Sequence, residues 1–252
     1  MKNEDTWFPT KYSIKNNRLV GSKNKKFLNP SSRIIADKIA DFYSEIIPKY
    51  CHGQLADIGC GYAPMYSFYK KYVESVTLID WTGTLHKNKW LDIEADLDSG
   101  CIPDVNNESF NVAICSDLLE HLYHPSVVLK EIHRVLKEDG YLLLNVPFNY
   151  WVHEAPYDYA RYTNFALCRM LEENGYKIVE LHRLGDAMDV LADTGAKVTH
   201  TIFGKTFGGF LAVMLQKTPQ IFRCLPLVRK KLNPIADCYA LSYGIVAQKV
   251  TE

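Results

Sequence analysis

The residues of this 252-residue chain best suited to hold a ligand are Asp57-Ile58-Gly59-Cys60-Gly61, directly behind the apolar pair Leu55-Ala56. Glycines at a strand end let the backbone turn tightly and approach a ligand that a Cβ would strike. A helix beginning near Tyr62 would aim its first N–H groups into the same space, and Asp57 could accept hydrogen bonds from loop amides or a ligand ammonium. Nineteen residues after Gly61 stands Asp80, at the end of a second apolar run. A carboxylate placed there can accept both hydroxyls of a ribose. Trp81 offers a flat face for an adenine ring. In Glu94-Ala95-Asp96-Leu97 an acid could hold the adenine amino group while Leu97 covers the ring. The dinucleotide fingerprint wants a third small residue after G-x-G. Pro64 occupies that position and an acid precedes the first glycine, which disfavours a nicotinamide-dependent oxidoreductase.

A second concentration of chemistry lies in residues 147–163, where aromatic side chains alternate with His153, Glu154, Asp158, Tyr159, Arg161 and Tyr162. The segment leaves the end of an apolar run, and in an open α/β sheet the crevice at the carboxyl ends of the strands is where substrates bind.

These groups need elements that bring them together. Ile34, Ile35, Ile39, Phe42, Ile46 and Ile47 recur at helical spacing behind Ser31-Ser32, predicting a helix that Pro48 ends. The runs 55–58, 76–79, 111–115 and 141–146 predict buried strands, with a weak strand and a loop in 89–98. Helices are predicted over 62–72 and over 125–137, the latter stopped by Gly140 as its C′ residue. Beyond the aromatic loop come a helix over 164–174 closed by Gly175, a sixth strand over 176–181, an inserted helical segment over 186–235, and a final edge strand over 243–250. Strands alternating with helices in this way give a mostly parallel sheet. Residues 1–30, polar and rich in Lys and Asn, read as a partly ordered N-terminal arm, and 31–252 as one α/β domain with a helical insert or lid.

The run Leu55 to Gly61 resembles motif I of class I S-adenosylmethionine-dependent methyltransferases. Asp80 matches their second-strand acid and Asp96 their adenine-side acid. The stretch from Phe110 to His121, and the stretch from Glu131 to Gly140 with 142–147 behind it, resemble later segments of the type 11 group. The resemblance spans residues 31–185. It implies a Rossmann-like seven-stranded sheet, mostly parallel, with helices on both faces and an antiparallel last strand. It also implies an enzyme with S-adenosylmethionine as cofactor. Gly59, Cys60 and Gly61 then contact the methionine part, with Asp57 organising the turn. Asp80 binds the ribose, Trp81, Asp96 and Leu97 the adenine, and Ser116 and Asp117 lie beside the sulfonium.

The loop from His153 to Thr163 resembles a segment of methyltransferases in bacterial surface-polysaccharide and lipid-linked sugar pathways, which implies a small-molecule or glycan-type acceptor. A sulfonium methyl is already electrophilic, so the protein must align the acceptor and exclude water. An oxygen acceptor must also lose a proton. His153 is the first candidate base, being neutral near pH 7, and His121 the second. Glu154 or Asp158 could orient either, Arg161 could clamp an anionic group, and Tyr159 and Tyr162 complete the loop's polar set. Alternatively, the same ionic groups pin the loop to itself. The resulting expectation is methyl transfer to oxygen by in-line displacement. The alternatives are N- or C-methylation of a quinone-like metabolite, or a non-catalytic cofactor-binding partner.

Composition sets the remaining bounds. Hydrophobic residues make up 47% and charged residues 23%, enough for a packed core. Net charge is zero, which gives no reason to expect nucleic acid, but the ends are basic: residues 1–30 carry seven Lys/Arg against two acids, and 197–252 carry eight against two. With Phe203, Phe207, Phe210, Leu211, Met214 and Leu215 preceding Arg229-Lys230-Lys231, the stretch 203–231 is a candidate for peripheral membrane contact. The apolar run 207–215 is too short to span a bilayer. Seven cysteines without a C-x-x-C pair, and no apolar segment at the start, suggest a cytoplasmic protein with reduced thiols. The histidines form no ligand pattern in sequence, so no metal is expected.

Overall fold

The computed structural model describes residues 1–83, 88–232, 235 and 238–250, with the side chains of Arg229 and Leu232 excepted. Its centre is a seven-stranded sheet made of β3 (Gln54–Ile58), β4 (Ser75–Asp80), β5 (Ile93–Glu94), β6 (Phe110–Ser116), β7 (Leu136–Pro147), β8 (Tyr176–Leu184) and β9 (Ser242–Lys249), in the spatial order β5-β4-β3-β6-β7-β9-β8. The pairs from β5 to β7 are parallel, and β9 runs antiparallel to both neighbours. The expected Rossmann-like class, including the antiparallel last strand, therefore holds.

The position of β9 differs from expectation. It lies between β7 and β8 rather than at an edge, so seven of its eight residues are buried, and β8 takes the edge with an alternating pattern. Gly244 in β9 is required by packing: a Cβ there would come 2.7 Å from the Phe42 ring of helix α1 (Arg33–Tyr50). That helix buries Ile35, Ile39, Phe42, Tyr43, Ile46 and Ile47 against one face of the sheet. It continues past Pro48 by two residues, because the last turn tolerates the loss of one N–H donor. On the other face α3 (Pro125–Val135) packs Val128, Leu129, Ile132 and Val135, while α4 (Asn164–Glu173) buries Leu167 and Leu171.

Two further expectations change for local reasons. The helix after Gly61 shrinks to one turn, α2 (Tyr66–Tyr69). A residue before proline avoids the helical region, and Ala63, preceding Pro64, sits at φ 48°. The helix start therefore moves four residues beyond the expected Tyr62. Gly140 is no C′ residue but lies inside β7, where a Cβ would come 2.8 Å from the Lys137 carbonyl and 3.1 Å from that of Asn111.

The N-terminal arm is an integral part of the fold. Its hairpin, β1 (Tyr12–Lys15) and β2 (Arg18–Gly21), buries Tyr12 and Leu19, and the Met1 ammonium reaches the Val76 carbonyl at 3.1 Å and the Asp92 carboxylate at 3.1 Å. The insert comprises α5 (Ala187–Phe203), a wide turn at Gly204–Gly208, α6 (Gly209–Arg223) and α7 (Pro226–Leu232); residues 233 and 234 lie outside the described structure. By length and composition alone the 37-residue run Ala187–Arg223 could cross a membrane. It is folded back as a hairpin, with Gly195 beside Leu215 and Gly208 against Thr199 and His200. Phe203, Phe207, Phe210 and Met214 are exposed on it. Arg223 ties the hairpin base to Asp186 and Asp189, and Gln216 bonds the Pro30 carbonyl and the Ile34 amide.

Candidate active site

The chain leaves β3 toward β4 and β5 on one side and returns to β6 on the other, so the carboxyl ends of β3 and β6 diverge at a topological switch point, where α/β sheets bind ligands. A cavity of about 710 Å³ opens there, within the size range of small-molecule sites. Asp57, Gly59, Cys60, Gly61, Asp80, Trp81, Asp96, Leu97, Ser116 and Asp117 all line it, as do His121, His153, Glu154 and Tyr159.

The glycine turn is held from behind. The Ile79 carbonyl accepts from the amides of Gly59 (2.9 Å) and Cys60 (3.3 Å), and Asp80 Oδ2 accepts from Gly61 N at 2.7 Å. Gly59 adopts φ 69°, and a Cβ there would lie 2.7 Å from Leu118. The glycine thus serves the packing of Leu118 as well as any ligand. Trp81 N donates to Asp80 Oδ1 at 2.7 Å, fixing the carboxylate at the strand end. Asp57 accepts from the Tyr69 hydroxyl at 2.7 Å rather than from loop amides. Burial pushes Asp57 up to about 7 despite that bond, with the nearby Asp80 charge adding to the rise. Asp96 caps the turn at Leu97–Ser99 through Asp98 N.

At the end of β6, Ser116 donates to Asn145 Oδ1 at 2.7 Å, Asn145 donates to Asp117 Oδ1 at 2.5 Å, and Lys11 from the N-terminal arm meets Asp117 Oδ2 at 3.1 Å. Asp117 stands at φ 50°, so this polar chain holds a strained residue at the cavity wall. Lys11, Tyr12 and Phe27 of the arm close the cavity. Their only sequence signal was aromatic and basic residues within a polar stretch. Two observations suit the space to a ligand with polar groups. The buried Thr10 hydroxyl in its wall has no hydrogen-bond partner, and at φ 69° and 51° Gly59 and Gly61 leave the turn's backbone bare of side chains.

Two imidazoles reach the same cavity, His121 from the turn Leu119–His121 after β6 and His153 from the aromatic loop, with ring centroids 4.8 Å apart. Tyr157, from the same loop, stands edge-on to Trp81 at 5.8 Å. Asp158 lies behind His153, accepting from its backbone N at 2.8 Å and facing Nδ1 at 3.1 Å. Arg161 closes on Asp158 with both terminal nitrogens and also donates to the carbonyls of Tyr150, Trp151 and Ala160. Its donors are used within the loop, and Asp158, Arg161 and Tyr162 stand outside the cavity lining. The expected anion clamp is therefore a loop-pinning network. Burial, then the neighbouring His121, hold His153 below the usual imidazole range, so it is neutral at pH 7.

The methyltransferase-domain family model matches residues 32–181, more than half of the chain. The chain belongs to that family. It is a methyltransferase with S-adenosylmethionine as cofactor. Solved structures share the fold: an S-adenosylmethionine-dependent methyltransferase from Archaeoglobus fulgidus (TM-score 0.56, 15% identity, 87% of this chain and 97% of that one) and another from Mesorhizobium loti (0.52, 13%, 84% and 98%). A phosphoethanolamine N-methyltransferase from Haemonchus contortus also aligns, at TM-score 0.51 and 16% identity over 85% of this chain and 53% of that one. No curated protein matches the sequence.

One feature lay beyond the sequence pattern. Glu120, adjacent to the cavity-lining His121, is fully buried, and neither of its carboxylate oxygens accepts a hydrogen bond among the described residues. Its ligand atom and those of His121 and His153 lie within 4.8 Å of one another, so the histidines do converge with an acid, contrary to the expectation drawn from their spacing.

Proposed function

We propose that this methyltransferase acts on a hydroxyl oxygen of a small, glycan-type acceptor, which meets the cofactor at the His121–His153 end of the cavity. The observation that supports this reading is the sharing of one cavity by the glycine turn, Asp80 and the two imidazoles. When bound, the cofactor supplies an electrophilic methyl group. Gly59, Cys60, Gly61 and Asp57 are the residues for its methionine part, Asp80 for the ribose, Trp81, Asp96 and Leu97 for the base, with Ser116 and Asp117 beside the sulfur.

The acceptor's proton leaves at the imidazoles. With Asp158 at Nδ1, His153 has Nε2 available to receive it, and positioning by the pinned loop supplies the in-line geometry. Glu154 and Tyr159, which line the same cavity, are the proposed acceptor contacts. Labelled methyl transfer from S-adenosylmethionine to a panel of sugars, nucleotide sugars and phenols tests the reading. Turnover on a hydroxyl acceptor that falls by about 100-fold or more in His153→Ala fits general-base assistance. Unchanged turnover in both His153→Ala and His121→Ala sinks the base assignment.

The hairpin tip adds a localisation to the proposal. Exposed Phe203, Phe207 and Phe210 with Lys205 beside them suit contact with an anionic membrane surface and hence a lipid-linked acceptor. Failure of the protein to co-float with anionic liposomes at low salt refutes this part alone.

A further inference from the structure

We propose that Glu120, His121 and His153 form a binding site for a divalent transition-metal ion at the acceptor end of the cavity. His121 Nδ1 lies 2.6 Å from the Tyr157 carbonyl oxygen, which can only accept, so that nitrogen carries the proton. The neutral ring then presents Nε2 as a lone pair. His153 Nδ1 lies 3.1 Å from Asp158 Oδ2, with Arg161 Nη2 farther off at 3.4 Å. An unprotonated Nδ1 would set its lone pair against a carboxylate oxygen, so this ring too is protonated on Nδ1 and bare on Nε2. The two bare nitrogens approach Glu120 Oε1 at 3.7 Å and 3.9 Å.

Three electron-pair donors thus converge with no proton shared between them, since these separations exceed hydrogen-bond length. A fully buried carboxylate that accepts no hydrogen bond is costly, and a cation in the gap removes that cost. The outer contacts match those of metal-binding histidines, whose second nitrogen is held by a carbonyl or a carboxylate. Here the holders are Tyr157 for one ring and Asp158, itself gripped by Arg161, for the other. Two imidazoles and one carboxylate, without thiolates, suit zinc, manganese, iron, cobalt or nickel better than magnesium or calcium. With bonds of about 2.1 Å, adjacent ligands of a tetrahedral ion stand about 3.4 Å apart, so the two pairs measured to Glu120 need close by only a few tenths of an ångström.

Both histidines face the cavity while Glu120 lies behind them, which leaves the ion's remaining positions toward the acceptor. There its charge lowers the pKa of an acceptor hydroxyl, as bound zinc does for water. His153 then acts as a ligand, and deprotonation no longer depends on its basicity. The O–H proton passes to solvent and the oxygen's lone pair forms the bond to the methyl carbon. The carbon–sulfur bond breaks with its electron pair left on sulfur. This catalytic part rests on the proposed hydroxyl acceptor, whereas ion binding does not.

The test uses the full chain, stripped with EDTA and titrated with zinc, manganese or cobalt by calorimetry, with cobalt absorption as a second readout. One equivalent is expected to bind, raising Tm, and Glu120→Gln, His121→Ala and His153→Ala should each weaken binding by at least about 100-fold. Wild-type-like S-adenosylhomocysteine binding by Glu120→Gln shows that this variant is folded. Absence of stoichiometric binding, or binding that survives all three substitutions, overturns the site. Ion binding without methyl transfer to any hydroxyl acceptor refutes the proposed function and leaves the site standing. Methyl transfer by protein that binds no ion does the reverse.

Discussion

Asp57→Asn is the substitution whose outcome the geometry constrains most tightly. Asp57 is 3% exposed and its carboxyl is pushed from 3.8 to about 7, chiefly by burial. A raised acid pKa makes the folded state bind more protons than the unfolded one. Stability is therefore full below about pH 4 and falls as pH rises toward 7. At 1.36 kcal/mol per unit, the penalty is about 1.5 kcal/mol at pH 5 and levels off near 4 kcal/mol above pH 7. Asparagine is nearly isosteric, never ionises, and its carbonyl can still accept from Tyr69. Relative to wild type, the variant should gain about 2.5–3 kcal/mol between pH 5 and pH 8, read from urea unfolding at both pH values. Binding of S-adenosylhomocysteine, whose ammonium favours the ionised carboxylate, should tighten in wild type as pH rises through 7 and lose that dependence in the variant. A variant destabilised by the same amount at both pH values would show that Asp57 is ionised in the folded protein, and the argument from burial would fail.

Gly59→Ala combines a φ of 69° with a 2.7 Å approach to Leu118; it should cost about 2–4 kcal/mol by chemical denaturation and abolish S-adenosylhomocysteine binding, whereas a silent variant would remove the strained turn from the account. Gly244→Ala, which drives a methyl into the Phe42 ring, should destabilise by about 1–3 kcal/mol and leave cofactor affinity in the folded fraction unchanged. For Asp158, Arg161 and the His153 amide outweigh the cost of burial and hold the carboxyl well below its usual range. Its stabilising effect is then present above about pH 4 and lost as pH falls further. Asp158→Asn should lose about 1–3 kcal/mol at pH 7 and progressively less below pH 4; a loss independent of pH would mean that the contact is steric.

The cofactor end was legible because it is local. In a parallel sheet every strand delivers its carboxyl end to the same edge, so a G-x-G after one strand and an acid nineteen residues on must become neighbours. Gly61 N to Asp80 Oδ2 is that adjacency made direct. The helix after the turn was misjudged because Pro64 acts on the residue before it, and Ala63 takes a left-handed conformation that no hydrophobic period reveals. Gly140 was misread for a related reason. A glycine behind a helix commonly marks its end, yet here the need is for close backbone contact inside a strand. The arm of 1–30 looked loose since its apolar residues are scattered among Lys and Asn. Of these, Tyr12, Leu19 and Leu28 are buried in the fold.

The acceptor end was legible only in part: His153 and His121 were read as candidate bases and both line the cavity, but their convergence with Glu120 was not foreseen, and the reason is geometric. Glu120 and His121 are adjacent in sequence, but His153 reaches them across a thirty-two-residue separation spanned by α3 and β7. Sequence supplied the residue types of the loop without saying which would face the cavity. Asp158 and Arg161 satisfy each other and the loop carbonyls, so the most charged pair contributes rigidity, while the neutral His153 it supports faces the cavity. Paired charges settle loop structure first, and what they leave unpaired is available for chemistry. By that reasoning the deciding group is Glu120, a buried carboxylate beside His121 and His153 with no hydrogen-bond partner among the described residues. Whatever neutralises it, a proton or a metal ion, sets how the acceptor is activated.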